Sequence, residues 1–193
     1  MHRKKLLQIA IGVAVAIVVI LPLGVLAYVK SGIYSVAASS PHTKFTEWIT
    51  HETMIHSVRT HASSIEAPAK FSPAEVRRGF CAYELHCVAC HGASAVARQL
   101  WVSGMEPSPP YLLDVTQRFE PRELFWIAKN GIKMTGMPAW RNSMSDGQLW
   151  DLVAFLETMP KMNSLDYVQW RQAGVCAVIS ERPTPAPHSI PHP

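Results

Sequence analysis

The chain is predicted to be all-α, and three observations carry the prediction. Two capping signatures, Ser72 to Glu75 and Ser145 to Gln148, each open a stretch of helical character. No alternating strand pattern appears anywhere in the 193 residues. The N-terminus holds one long, uncharged apolar run. With 48% hydrophobic residues and a mean hydropathy of +0.07, the composition suits one modest domain plus an anchor.

Between Leu6 and Val29 no residue is charged, and a helix over that stretch would rise about 36 Å, enough to cross a bilayer core with some tilt. Arg3, Lys4 and Lys5 precede it, so the positive-inside rule keeps that end cytoplasmic and sends the rest of the chain outward. A cleaved signal peptide is the competing reading, since Ser35 to Ser39 offers small residues for a peptidase. Signal h-regions run only roughly 7 to 15 residues. A retained anchor over residues 1–30 is therefore expected, with lipid contacts through residues 6–29 and a local kink at Pro22.

The pI near 9 raises the question of nucleic acid. Of the 18 Lys and Arg, four are Arg3, Lys4, Lys5 and Lys30, and all 14 acids lie beyond Lys30, leaving 14 against 14 in the remainder. A formally neutral domain has no basic stripe, which excludes a nucleic-acid partner.

Residues 31–71 read as a linker of small residues followed by a juxtamembrane amphipathic helix, because Phe45, Trp48, Ile49, Ile55 and Val58 recur at helical spacing. Residues 72–180 form the core domain with a C-terminal extension. Its first helix should run from Pro73 to about Cys87, with Ser72 and Glu75 as a capping box and proline at the first helical position. A second helix opens at Pro121 and stops at Lys129-Asn130-Gly131, and a third follows Ser145 with Leu149, Leu152, Val153 and Leu156 as one apolar stripe. Met159-Pro160 closes it, and a short helix is expected from Leu165 to Ala173. Residues 181–193 carry five prolines and read as a disordered tail.

The chemistry is concentrated in Cys87-Val88-Ala89-Cys90-His91. In C-x-x-C-H two thiols can add to the two vinyl groups of one haem while the next residue offers an imidazole to the iron. The alternative is a redox C-x-x-C pair, which belongs near a βαβ pattern that this sequence lacks. Electron transfer calls for a sixth ligand, and Met137 in Thr135-Gly136-Met137-Pro138-Ala139-Trp140 is the candidate, with Met134 and Met144 as rivals. Glycine there permits close approach and proline stiffens the return.

From about Ser72 to Pro160 the sequence resembles the class I cytochrome c family. The resemblance rests on Cys87 to Gly92, on Gly136 to Trp140 and, more loosely, on Gly79, Tyr83 and Cys87 spaced four apart, with Phe155 as the aromatic partner on the last helix. It implies a class I cytochrome c fold in which glycine lets the first and last helices cross closely. It also implies that the Pro110 carbonyl orients His91 and that Trp140 packs at a haem edge or bonds a propionate.

His42, His51, His56 and His61 suggest a metal site, yet steps of five residues turn about 140° each and cannot share one helix face. Cys81 and Cys176 remain after the haem thiols are assigned. An oxidising compartment invites a disulfide between them, and a buried apolar Cys81 beside an incidental Cys176 is the other reading.

Together these features imply a mono-haem c-type cytochrome of the inner membrane, its haem domain facing the periplasm. It would pass single electrons among membrane or periplasmic redox proteins, with iron held by His91 and Met137, no catalytic residue and no small-molecule substrate. The alternative is a fixed cytochrome subunit of a membrane dehydrogenase or terminal oxidase. A haem enzyme or gas sensor would need an open iron position, against which Met137 speaks.

Overall fold

In the computed structural model the described residues are 2–176, and they form two compact units, one spanning Met1–Ser40 and the other beginning at Pro41. Eight α-helices and four 3-10 turns make up the described residues, with a lone bridge between Ala93 and Val96 and no named strand. The first unit is helix α1, His2–Ser31, which continues through Pro22 and exposes its apolar side chains along its whole length. It is the one helix among the described residues long and apolar enough to cross a membrane. The anticipated tail, residues 181–193, lies outside the described residues.

In the second unit α2, Lys44–Ala62, forms where the spacing of Phe45, Trp48, Ile49, Ile55 and Val58 predicts a helix, and these apolar residues part into two sets. Val58 and Ala62 are buried against α6, Pro121–Asn130, whereas Phe45, Trp48 and Ile49 stand exposed. The reason is angular and axial. At about 100° per residue Phe45 and Ile49 point well away from the face that Val58 and Ala62 present, and Trp48, about 40° round from Ala62, lies nearly four turns before it. His61 lies 5.5 Å from Trp126, and His56 sits 3.7 Å from Glu52.

Helix α3, Pro73–His86, begins at the predicted box, the Glu75 amide donating to Ser72 Oγ at 3.3 Å and the Ser72 amide to Glu75 Oε2 at 2.6 Å. It crosses α7, Asp146–Thr158, at Gly79, where a Cβ would stand 1.8 Å from the Asp151 carbonyl oxygen. Only glycine lets the two backbones approach so closely. Beside that point Arg78 makes two 2.7 Å bonds to the Asp151 carboxylate. Phe80 and Tyr83 pack on Phe155 with ring centroids 5.5 and 5.3 Å apart.

Helix α8, Ser164–Gln172, closes the far side of α3. Phe80 meets Tyr167 and Trp170 edge-on, and Glu84 accepts from the Tyr167 hydroxyl and the Arg171 guanidinium. Cys81 and Cys176 are joined in a disulfide, their Cα atoms 5.2 Å apart. The pairing left open from sequence is thus made, because α8 returns the chain to α3 across 95 residues.

Candidate functional site

Helix α3 ends one residue before Cys87, and the chain turns at once into α4, the single helical turn Val88–His91. The turn is closed by the Cys90 and His91 amides donating to the Cys87 carbonyl at 3.1 and 2.9 Å and by Gly92 donating to Val88 at 2.8 Å. Winding matters here. Side chains three apart on a helical turn project from the same side, so both thiols face one way. Gly92 has φ +64°, and a Cβ on it would stand 2.9 Å from the Val96 carbonyl oxygen, which leaves no room for another residue.

Cys87 is buried and Cys90 half-buried, and the two thiols are not bonded to each other. Burial, and then the neighbouring Cys90, push the Cys87 thiol up to about 12. An activated redox thiol is shifted the other way. The arrangement therefore disfavours a thioredoxin-like pair.

His91 is buried, with Nδ1 2.8 Å from the Pro110 carbonyl. A carbonyl only accepts, so Nδ1 carries the proton and Nε2 keeps its lone pair. Burial holds the imidazole below its usual pKa, the Pro110 bond opposing and the Arg98 charge assisting. Burial thus favours the neutral imidazole.

One residue that sequence reasoning missed braces this partner. Arg98 donates to the Pro109 carbonyl and lies 3.9 Å over the Tyr111 ring, so one guanidinium grips both sides of Pro110. No sequence signal marks it. Tyr83, by its hydroxyl, donates to the Gly92 carbonyl at 2.5 Å and fixes the end of the turn. Burial raises that phenol well above its ordinary range, so it stays a donor.

The loop carrying Met137 leaves α6 at Gly131, whose φ is +66° and whose Cβ would meet the Pro138 backbone at 2.6 Å. Thr135 holds the bend, its hydroxyl donating to the Ile132 carbonyl at 2.7 Å and accepting from the Met137 amide at 3.0 Å. Met137 is half-buried. Met134, at φ +61°, is 87% exposed, and Met144 is built into the hydrophobic core. Gly136 has its own reason to be glycine, since the Met105 methyl sits where a Cβ would be, at 1.9 Å. Met105 is thus a second residue that sequence reasoning passed over.

Trp140 packs against the core 4.7 Å from the His86 ring, and its Nε1 is buried without a hydrogen-bond partner. Orphaned buried donors are rare and call for an acceptor from outside the chain. A haem propionate is such an acceptor. Together with the free Nε2 of His91 and two thiols on one side of a turn, that donor makes these residues fit a haem.

Residues 74–156 match the family model described as "Cytochrome C oxidase, cbb3-type, subunit III". A comparison with curated proteins gave no significant match.

Proposed function

We propose that this chain, whose residues 74–156 match a cytochrome family model, folds there as a class I cytochrome c domain, carries one covalently bound haem c and passes single electrons between membrane-associated respiratory partners. The observation that carries the reading is the wound turn Cys87 to His91 with its imidazole fixed on the Pro110 carbonyl. Haem c supplies the one-electron Fe(III)/Fe(II) couple.

The chain's own residues do the rest. Cys87 and Cys90 would hold the haem through two carbon–sulfur bonds, each thiol supplying its sulfur and its hydrogen to one vinyl group. His91 would offer Nε2 to the iron while Pro110, gripped through Arg98, holds the ring's orientation. Met137 would offer its thioether as the second ligand, which favours the reduced state. Trp140 Nε1, buried without a partner in the chain, would donate to a propionate. Helix α1 anchors the protein, and the charges of Arg3, Lys4 and Lys5 favour a cytoplasmic N-terminus with the haem domain in the periplasm.

The test is spectroscopic and chemical. Haem stain should survive denaturing electrophoresis of the wild type, weaken in Cys87→Ala and vanish when Cys90→Ala is added. Oxidised wild type should show the near-infrared sulfur-to-iron band, and Met137→Ala should lose it. A band retained in that variant would pass the ligand role to another methionine.

A second reading is favoured by the wording of the matched family, which names an oxidase subunit. In it the protein is a fixed cytochrome subunit of a membrane dehydrogenase or oxidase. Co-purification with stoichiometric partners in mild detergent supports that reading, and a lone haem protein supports the carrier.

A further inference from the structure

We infer that the first turns of α2 lie in the headgroup–acyl boundary of the membrane that holds α1, giving the haem domain a second point of membrane contact through Phe45, Trp48 and Ile49. The inference does not depend on the haem, only on α1 being the anchor.

One end of α2 is fastened to the domain and the other is not. Toward its C-terminus Val58 and Ala62 are fully buried, Arg59 lies 4.0 Å from Glu123, and Arg122 donates to the Ser63 carbonyl at 3.3 Å. Toward its N-terminus Phe45 is 67%, Trp48 58% and Ile49 43% exposed, the first two with ring centroids 6.0 Å apart. At about 100° per residue these three fall within one arc of about 100°, centred some 120° round the helix from Met54, Ile55, Val58 and Ala62. The domain buries Val58 and Ala62 and leaves Phe45, Trp48 and Ile49 exposed.

The chain itself supplies the occupant. Helix α1 ends at Ser31 and α2 begins at Lys44, so the twelve intervening residues hold the start of α2 within at most about 47 Å of the point where the chain leaves α1. That tether carries no Asp, Glu, Lys or Arg, and within it Ile33 and Val36 are themselves strongly exposed. Tryptophan and phenylalanine beside aliphatic side chains are the residues that settle at a membrane interface. The patch's one cation, Lys44, is paired with Glu47 at 3.0 Å. Contact should therefore be apolar in origin and insensitive to lipid charge.

The experiment uses full-length, haem-loaded protein in phosphatidylcholine nanodiscs containing a phospholipid with a diazirine near the top of its acyl chain. After photolysis, tryptic digestion and mass spectrometry, adducts should appear on the peptide Phe45 to Arg59, within its first five residues, as well as on α1. Replacing phosphatidylcholine by phosphatidylglycerol should leave the pattern unchanged. The triple variant Phe45→Ser, Trp48→Ser, Ile49→Ser should lose the α2 adducts while keeping those on α1 and an unaltered haem spectrum. If that variant fails to load haem, Trp48→Gln alone replaces it.

A peptide Phe45 to Arg59 that stays unlabelled while α1 is labelled overturns the proposal. So does an unlabelled peptide that is shielded only in native membranes, which would assign the patch to a partner protein. An unlabelled α1 removes the anchor and the proposal with it.

Discussion

The crossing of α3 with α7 and α8 and the loops that present His91 and Met137 are built in opposite ways. At the crossing every link is duplicated: a glycine contact, a two-bond ion pair, interlocking aromatic rings, the Glu84 bonds to Tyr167 and Arg171, and a disulfide. The loop from Gly131 to Pro138 hangs on the Thr135 hydroxyl and two backbone bonds, from the Ile132 amide to the Met137 carbonyl at 3.2 Å and from the Thr135 amide to the Ile132 carbonyl at 3.3 Å. The Pro110 segment depends on Arg98 and His91. The difference teaches that the scaffold is held by many of the chain's own contacts and the loops by few. Changes in the scaffold should cost stability, and changes in the loops should cost ligation.

The largest effect is expected at Gly79. Gly79→Val puts atoms into the Asp151 backbone, which cannot give way, and the haem-loaded domain should fail to accumulate in membranes. Near-normal yield of that variant would show that the helices can part, and would break the comparison. Next comes the disulfide. Cys81→Ser with Cys176→Ser should lower the free energy of unfolding by about 2 to 4 kcal/mol in denaturant titrations, with the haem spectrum unchanged. A spectral change would mean that the scaffold and the site are coupled more tightly than their contacts suggest.

The smallest global effect belongs to the loop. Thr135→Val removes two hydrogen bonds from an accessible bend and should lower unfolding stability by about 1 kcal/mol or less. The near-infrared sulfur-to-iron band should nevertheless disappear at a lower temperature than in the wild type. Loss of stability without loss of the band would place Thr135 with the scaffold.

Helix starts were legible because their rules are local. A serine that accepts from the amide three residues on is readable at Ser72 and Ser145 without knowing any neighbour in space, and the helices begin there. The helix expected from Leu165 to Ala173 is found at Ser164–Gln172, and Gly131 stops α6 as its spacing implied. The juxtamembrane helix was readable as a helix but not in its packing, because spacing alone does not say which of two apolar arcs a partner covers.

What the sequence by itself determined, then, was the apolar span, the capped helices and the residues at the site that are neighbours along the chain, Cys87, Cys90 and His91. Tertiary structure decided the rest. Arg98 became a brace only when the chain brought Pro109 and Tyr111 beneath it, Met105 mattered only because Gly136 came against it, and Cys81 found Cys176 only after α8 had folded back on α3. The physical reason is distance along the chain. Backbone hydrogen bonding and capping act over three or four residues and leave a local signature, whereas packing and cross-links join residues by where the whole chain puts them, and no short window of sequence contains both partners.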